Sequence, residues 1–370
     1  MSWSDWAGRE AQLVHDAGQW RAPRAFDAHG PEGEFDGRTV VSFASNDYLG
    51  LTRHPGVVAA AHAAIDRWGT GSGSARLIVG SRPVHSDLEA ALADWKEAER
   101  AVLFTTGFAA NLGVLTTFAG PDVLVCSDEL NHASIIDGRR LAQAPLAVYR
   151  HRDVAHVDEL LHESSLPRTV VVSETVFSMD GDVAPVRELA EVCARHDALL
   201  VLDEAHAVLE EPVDLGDVSG DVLRVGTLSK TLGALGGFVA GPERFTDLLV
   251  NRARSYIFTT ASTPADAAAA LAALAVVRSS EGDALRSRLR ANIDLVRPGH
   301  PSPIVPYLCG SEHHAVDVAH ALLDEGLLVT AIRPPTVAPG TSRLRVTLSA
   351  AHTPEQVNRL QRALAKHFPG

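Results

Sequence analysis

The chain has 370 residues, 46% of them hydrophobic and 21% charged, which is enough apolar material for a large core and a second, smaller domain. Its 46 acidic residues outnumber the 33 basic ones for a formal charge of −13, which gives no support to nucleic acid or an anionic membrane as the main partner. Cys126, Cys193 and Cys309 stand far apart with no CxxC, so neither a disulfide framework nor a cysteine metal site is expected, no metal ligand is picked out, and a reducing cytoplasm fits.

The opening stretch MSWSDWAGREAQ carries charges where a secretory signal would have an apolar core. Apolar runs then recur at 101–104 (AVLF), 122–126 (DVLVC), 169–174 (TVVVSE), 198–203 (ALLVLD), 222–227 (VLRVGT) and 236–241 (GGFVAG), each expected as a strand. Amphipathic stretches such as 186–196 (VRELAEVCARH) fall between several of them. Strands apolar along their whole length are buried on both faces, the pattern of an α/β protein with a mainly parallel sheet and helices on both sides. The alanine-rich segment 265–277 is short and soon followed by Arg278, so it reads as a packed helix and not a membrane span. From about Glu281 the character changes to helices, a proline-rich stretch at 298–306 and short strands. Residues 352–368 close the chain as a helix, with Thr353 and Gln356 spaced as a capping box and Pro354 at the first helical position. The expected organisation is an N-terminal segment 1–45, a large domain 46–280 and a small C-terminal α+β domain 281–370.

Three of the apolar runs end on charge: Glu174, Asp203 and Lys230. Ligands of open parallel sheets bind outside the carboxyl ends of the strands, so these residues are expected together beside a cleft. Charges inside the strands would instead be buried unpaired at high cost. A lysine in such a place can form a Schiff base with an aldehyde cofactor. Pyridoxal phosphate needs that lysine and a carboxylate that keeps its ring nitrogen protonated. It also needs backbone N–H groups for its phosphate, best supplied where a helix begins, and TTGFAANLGVL (105–115) provides a glycine at such a turn.

The chain resembles the α-oxoamine synthases, pyridoxal-phosphate enzymes of the aspartate-aminotransferase (type I) fold. The resemblance rests on FASNDYLGL (43–51), GTGSGSARLIVG (69–80), LFTTGFAAN (103–111), LNHASIIDG (130–138), ETVFSMDGD (174–182), LDEAHA (202–207), TLSKTLGALGG (227–237) and AIRPPTVAPGTSRLRVTLSAAH (331–352). It implies that Lys230 holds pyridoxal 5'-phosphate and shuttles the α-proton, that Asp203 pairs with the ring nitrogen, and that His206 bonds the phenolic oxygen. It further implies that His132 stacks on the ring and contacts substrate, that Gly107 and Phe108 present N–H groups to the phosphate, and that Ser178 and Thr227 add hydroxyl contacts. Arg333 and Arg345 become candidates to grip an amino-acid carboxylate, with Thr336 and Arg21 lining the substrate pocket.

Alanine stands at 207 and glutamate at 204 where the group often has glycine and aspartate. The long C-terminal match points within the group to condensation of L-alanine with pimeloyl-CoA, or pimeloyl-acyl-carrier protein, for biotin synthesis. The other branches differ in amino acid and acyl group. The resemblance also implies a homodimer with the active site at its interface.

Overall fold

The structure, a computed structural model, describes residues 1–17, 19–209 and 213–368. Its central element is a seven-stranded sheet in which Val123–Asp128, Arg168–Glu174, Leu199–Asp203 and Val222–Thr227 lie side by side and parallel. Leu146–Tyr149 extends one edge in parallel, while Gly237–Gly241 runs antiparallel between Val222–Thr227 and Arg100–Phe104.

The apolar runs form strands because both faces of the sheet are covered. Val125, Val172, Val201 and Val225 pack on one side with Ala110 and Val114 of the Gly107–Phe118 helix. The alternate residues Cys126, Val171, Leu200 and Leu202 pack on the other with Leu189 and Cys193 of the Val186–Arg195 helix. Two-residue periodicity therefore sends neighbouring side chains into two separate cores. The six expected strands are present with ends shifted by no more than two residues. The edge strand Leu146–Tyr149 was not expected: Leu146 and Val148 are exposed, so its pattern is not that of a strand buried on both faces.

Two compact units emerge from the packing: residues 1–44, 306–346 and 359–370, and residues 45–305 and 347–358. The first contains the sheet built by Phe26–Ala28, Glu32–Phe35, Arg38–Ser42 and Leu327–Leu328, and most of a three-stranded sheet in the order Ile304–Gly310, Ser342–Thr347, Thr330–Ile332. The second contains the large sheet and its helices. This division does not follow linear boundaries at 45 and 280, because residues 281–305 and 347–358 pack with the large sheet. The reason lies in the Ser280–Val296 helix, whose Leu289 and Ile293 are fully buried. Its Asn292 side chain donates to the carbonyls of Ser349 and His352, both at 3.0 Å. The capping box expected before the last helix is present: Gln356 N–H donates to Thr353 Oγ1 at 3.3 Å, and Thr353 N–H to Gln356 Oε1 at 3.0 Å.

Asn292→Ala removes both amide hydrogen bonds to 347–358, while the Ser349 carbonyl keeps the His352 N–H. A net hydrogen bond contributes about 0.5–1.5 kcal/mol, so a loss of about 1–3 kcal/mol is expected in urea unfolding of the variant. Unchanged stability would show that the amide does not tether 347–358.

Candidate active site

Lys230 sits in the turn between Val222–Thr227 and Gly237–Gly241. The turn is closed by Leu228 N–H to Gly236 O at 3.0 Å, Ala234 N–H to Leu228 O at 2.9 Å and Gly233 N–H to Lys230 O at 3.0 Å. Gly233 takes φ +59° and lies so close to Thr52 that a Cβ there would stand 2.6 Å from the Thr52 nitrogen. Only glycine permits that approach, and the approach fixes where Lys230 emerges. The lysine opens into a cavity of about 230 Å³ shared with Gly107, Phe108, His132, Glu174, Asp203, His206 and Thr227.

Asp203 ends the Leu199–Asp203 strand and is buried. Its Oδ2 accepts from Asn111 Nδ2 at 2.7 Å and its Oδ1 from the Ala205 N–H at 3.0 Å. The same Asn111 amide donates to Ser134 Oγ at 2.9 Å, and Ser134 Oγ meets His132 Nδ1 at 2.8 Å. Ser134 N–H also donates to that nitrogen, at 3.2 Å. Nδ1 is therefore an acceptor, and the neutral ring carries its proton on Nε2. The protein packed around the ring lowers the His132 pKa below the ordinary imidazole range, the Asp203 charge opposing the shift and Lys230 reinforcing it. Phe108 meets His132 edge-on, with ring centres 6.4 Å apart.

His206 stands between Lys230 and Tyr48. Its Nε2 is 2.9 Å from Lys230 Nζ and its Nδ1 is 2.6 Å from Tyr48 Oη. With the amine donating to Nε2, Nδ1–H is left to donate to the tyrosine, which in turn donates to Asn46 Oδ1 at 3.2 Å. Tyr48 is fully buried, so the imidazole has a fixed backstop.

Glu174 is the register partner of Asp203 across the two strands and is 2% exposed. Its Oε2 accepts the Ser178 N–H at 3.1 Å, whereas its buried Oε1 has no hydrogen-bond partner among the described residues. Burial, reinforced by the Asp203 charge, pushes Glu174 up to about 8. At neutral pH Glu174 therefore keeps its proton, beside an Asp203 that accepts from two donors.

The Gly107–Phe118 helix begins at the cavity, capped by Thr106, whose Oγ1 accepts the Ala109 N–H at 3.0 Å. The first N–H groups of a helix have no partner within it and carry the positive end of its dipole, which suits an anion. A Cβ at Gly107 would lie 3.2 Å from Thr227 Cβ, so the glycine keeps this corner open beside the Thr227 hydroxyl.

Of the residues expected at the site, Lys230, His132, Asp203, His206, Gly107, Phe108 and Thr227 line one cavity. Ser178 is buried one step away, its N–H on Glu174. Arg21, Arg333, Thr336 and Arg345 belong to the other unit, where Arg345 is buried, Arg333 half-buried and Arg21 and Thr336 exposed.

The sequence model described as aminotransferase class I and II matches residues 38–364. The chain belongs to that family. It is 47% identical to the 8-amino-7-oxononanoate synthase of Anaeromyxobacter dehalogenans, over 99% of this chain and 96% of that protein. Among solved structures it is similar to a serine palmitoyltransferase containing pyridoxal phosphate as its internal aldimine, with TM-score 0.89, 30% identity and coverage of 98% and 96%. An 8-amino-7-oxononanoate synthase from Francisella tularensis matches with TM-score 0.75 and 26% identity, over 89% of this chain and 97% of that one. The fold of this family member is the aspartate-aminotransferase (type I) fold.

Sequence reasoning placed Glu174 near the cleft without a role and passed over Asn111, Ser134 and Tyr48. Asn111 had a usable signal: four residues after Gly107, it lies one turn into a helix that starts at the cavity. Tyr48 and Ser134 had none beyond membership of the quoted motifs.

Because the folded state keeps the Glu174 proton up to about pH 8 while the unfolded chain releases it near its ordinary value, stability should fall as pH rises between those two points. Glu174→Gln removes that slope. In the cofactor-free protein, the variant's melting temperature relative to wild type should therefore improve from pH 5 to pH 8.5. A difference independent of pH would mean that the carboxyl group is ionised throughout.

Proposed function

We propose that this chain catalyses the 8-amino-7-oxononanoate synthase reaction. L-alanine and a pimeloyl thioester are joined through a new carbon–carbon bond, with release of carbon dioxide and of CoA or the free carrier. The observation that carries the reading is Lys230 opening into a cavity with Asp203, two imidazoles and a helix N-terminus. It is supported by the near full-length likeness to proteins of that name.

The donor set fits pyridoxal phosphate. The corner kept open at Gly107 suits a phosphate, and the buried Oε1 of Glu174, which has no hydrogen-bond partner among the described residues, marks a place where a polar ligand atom belongs. When bound, the cofactor supplies an aldehyde that condenses with amines and a protonated ring that takes up an electron pair.

Lys230 Nζ would be the amine that anchors the cofactor, then the base that takes the α-proton of alanine and later returns a proton. Asp203 would favour a protonated ring nitrogen by its charge. His206, backed by Tyr48, would bond the phenolic oxygen, and His132 would cover the ring face and meet substrate. Gly107 and Phe108 N–H groups would hold the phosphate with the Thr227 and Ser178 hydroxyls. Arg333 and Arg345 are assigned to the alanine carboxylate, since guanidinium binds carboxylate bidentately, and Thr336 and Arg21 to the pocket wall.

A homodimer belongs to this reading and is supported by the exposed run Leu77, Ile78 and Val79, which a lone chain would leave bare to water. A cytoplasmic location also belongs to it. No helix among the described residues is long and apolar enough to cross a membrane.

The deciding experiment is a matrix of alanine, glycine and serine against acetyl-, succinyl-, pimeloyl- and palmitoyl-CoA, read as CoA release, with pimeloyl-acyl-carrier protein as a further donor. Alanine with a pimeloyl donor should be the best pair. A preference for glycine with acetyl-CoA, or serine with palmitoyl-CoA, would transfer the chain to another branch of the group.

Asp203→Asn should fold and bind cofactor yet lose about a hundredfold in rate, which corresponds to about 2.7 kcal/mol at the transition state. Exchange of the alanine α-hydrogen into deuterium oxide reads the affected step directly. Wild-type exchange in a well-folded variant would remove the charge from the mechanism.

A further inference from the structure

We infer that His151 is a positioning residue whose doubly protonated ring, bridging Asp128 and Asp182, locks together the two turns that bring His132 and Ser178 to the active site; this assignment of roles rests on the proposed function. Asp128 ends the Val123–Asp128 strand and is buried. Its Oδ1 accepts from Leu130 N–H at 2.9 Å and from His151 Nδ1 at 3.0 Å, and its Oδ2 from Arg152 N–H at 2.9 Å. Its carbonyl accepts the Asn131 N–H at 3.2 Å. These bonds shape residues 128–131, and the next residue is His132, the cap of the Ala133–Ala142 helix.

Asp182 closes the second turn. Its carbonyl accepts the Phe177 N–H at 3.0 Å, and its Oδ2 accepts from His151 Nε2 at 2.7 Å and from Arg152 Nη1 at 3.2 Å. Between Phe177 and Asp182 lies Ser178, whose N–H holds Glu174. The His151 ring stands edge-on to Phe177 with centres 4.4 Å apart, and its backbone N–H donates to Glu129 Oε1 at 2.9 Å.

A ring nitrogen facing a carboxylate donates to it, and here both nitrogens do, so the ring holds both protons and a positive charge. The charged groups around it are Asp128, Asp182, Glu129 and Arg152, and the Asp182 charge is also felt by His300. Burial pulls against the charge, but the two carboxylates outweigh it and raise His151 to about 9. The bridge is therefore whole below the ordinary imidazole pKa and opens as pH rises through about 9. His151 does not line the cavity, so its influence passes through the turns it joins.

The test compares wild type with His151→Gln, which cannot donate in two opposite directions, and with Asp182→Asn, which keeps the shape but removes one charge. In nitrogen-15-labelled wild type without cofactor, both ring nitrogens of His151 should be protonated at pH 7.5; a neutral ring overturns the proposal. In both variants, amides of 128–132 and of 177–182 should lose hydrogen-exchange protection together. Loss at one turn only, or at neither, overturns it. These readouts need neither cofactor nor substrate, so they stand even if the proposed reaction fails.

In the holoenzyme, a small misplacement of His132 should lower kcat about 10- to 100-fold. It should also weaken the visible circular dichroism of the bound cofactor, while the KM for the thioester stays within about twofold. Normal kcat and dichroism per folded molecule, with only a lower melting temperature, would reduce His151 to a structural part and overturn the assignment.

Discussion

Two carboxylates, Glu174 and Asp203, end neighbouring parallel strands in direct register and are both buried. So close together and so dry, they cannot both ionise without a large cost. The rest of the site is arranged around how that cost is met. Asn111 and the Ala205 N–H both give their hydrogens to Asp203. Glu174, buried beside the Asp203 charge, keeps its proton. From Asp203 the polarity runs through Asn111 and Ser134 to His132, whose tautomer it sets. One electrostatic conflict at a strand end thus fixes the protonation of a second carboxyl and an imidazole.

The sheet makes this arrangement possible because its polar ends and its apolar interior do not compete. Valine and leucine on alternate faces supply two dry cores, and the strands turn polar only where they leave them. The single reversed strand, Gly237–Gly241, has a related use. Running antiparallel to Val222–Thr227, it allows a short turn instead of a long crossover. Lys230 is carried on that turn, and a short turn closed by its own hydrogen bonds is stiffer than a loop to a distant helix.

Much of this was legible in the sequence, and the reasons differ by residue. Glu174, Asp203 and Lys230 stood out because a charge directly after an apolar run is visible without any structure. Gly107 stood out because glycine at a strand-to-helix turn is an inexpensive signal of close approach. His151 and its carboxylates did not: Asp128, His151 and Asp182 are separated by tens of residues, and only the pairing of the intervening strands brings them together. The Leu146–Tyr149 strand escaped because an edge strand need not be apolar throughout. The Ser280–Val296 helix looked like the start of a new domain because composition changes there. Its packing is decided instead by Asn292, Leu289 and Ile293, which no composition average registers.

Glu204 shows how the same economy extends behind the site. It directly follows Asp203 and is buried, paired with Lys96 at 2.7 Å and Arg224 at 2.5 Å. Burial alone would raise its pKa, but the two cations outweigh burial and hold it below the usual carboxylate range. A buried ion cluster of this kind adds little net stability, yet removing one member costs about 3–5 kcal/mol because its partners are left charged and dry. Such a cluster defines position more than it supplies energy. Here Glu204 accepts the Ala207 N–H on its carbonyl and gives its own N–H to Val225, so the turn it anchors is the one that carries His206. Asp203 is held by neutral donors, which leave its charge available to a ligand. Glu204, next in the chain, is neutralised by full cations and is unavailable to any. Adjacent carboxylates of almost identical intrinsic chemistry therefore divide into one that lines the cavity and one that fixes the backbone beneath it.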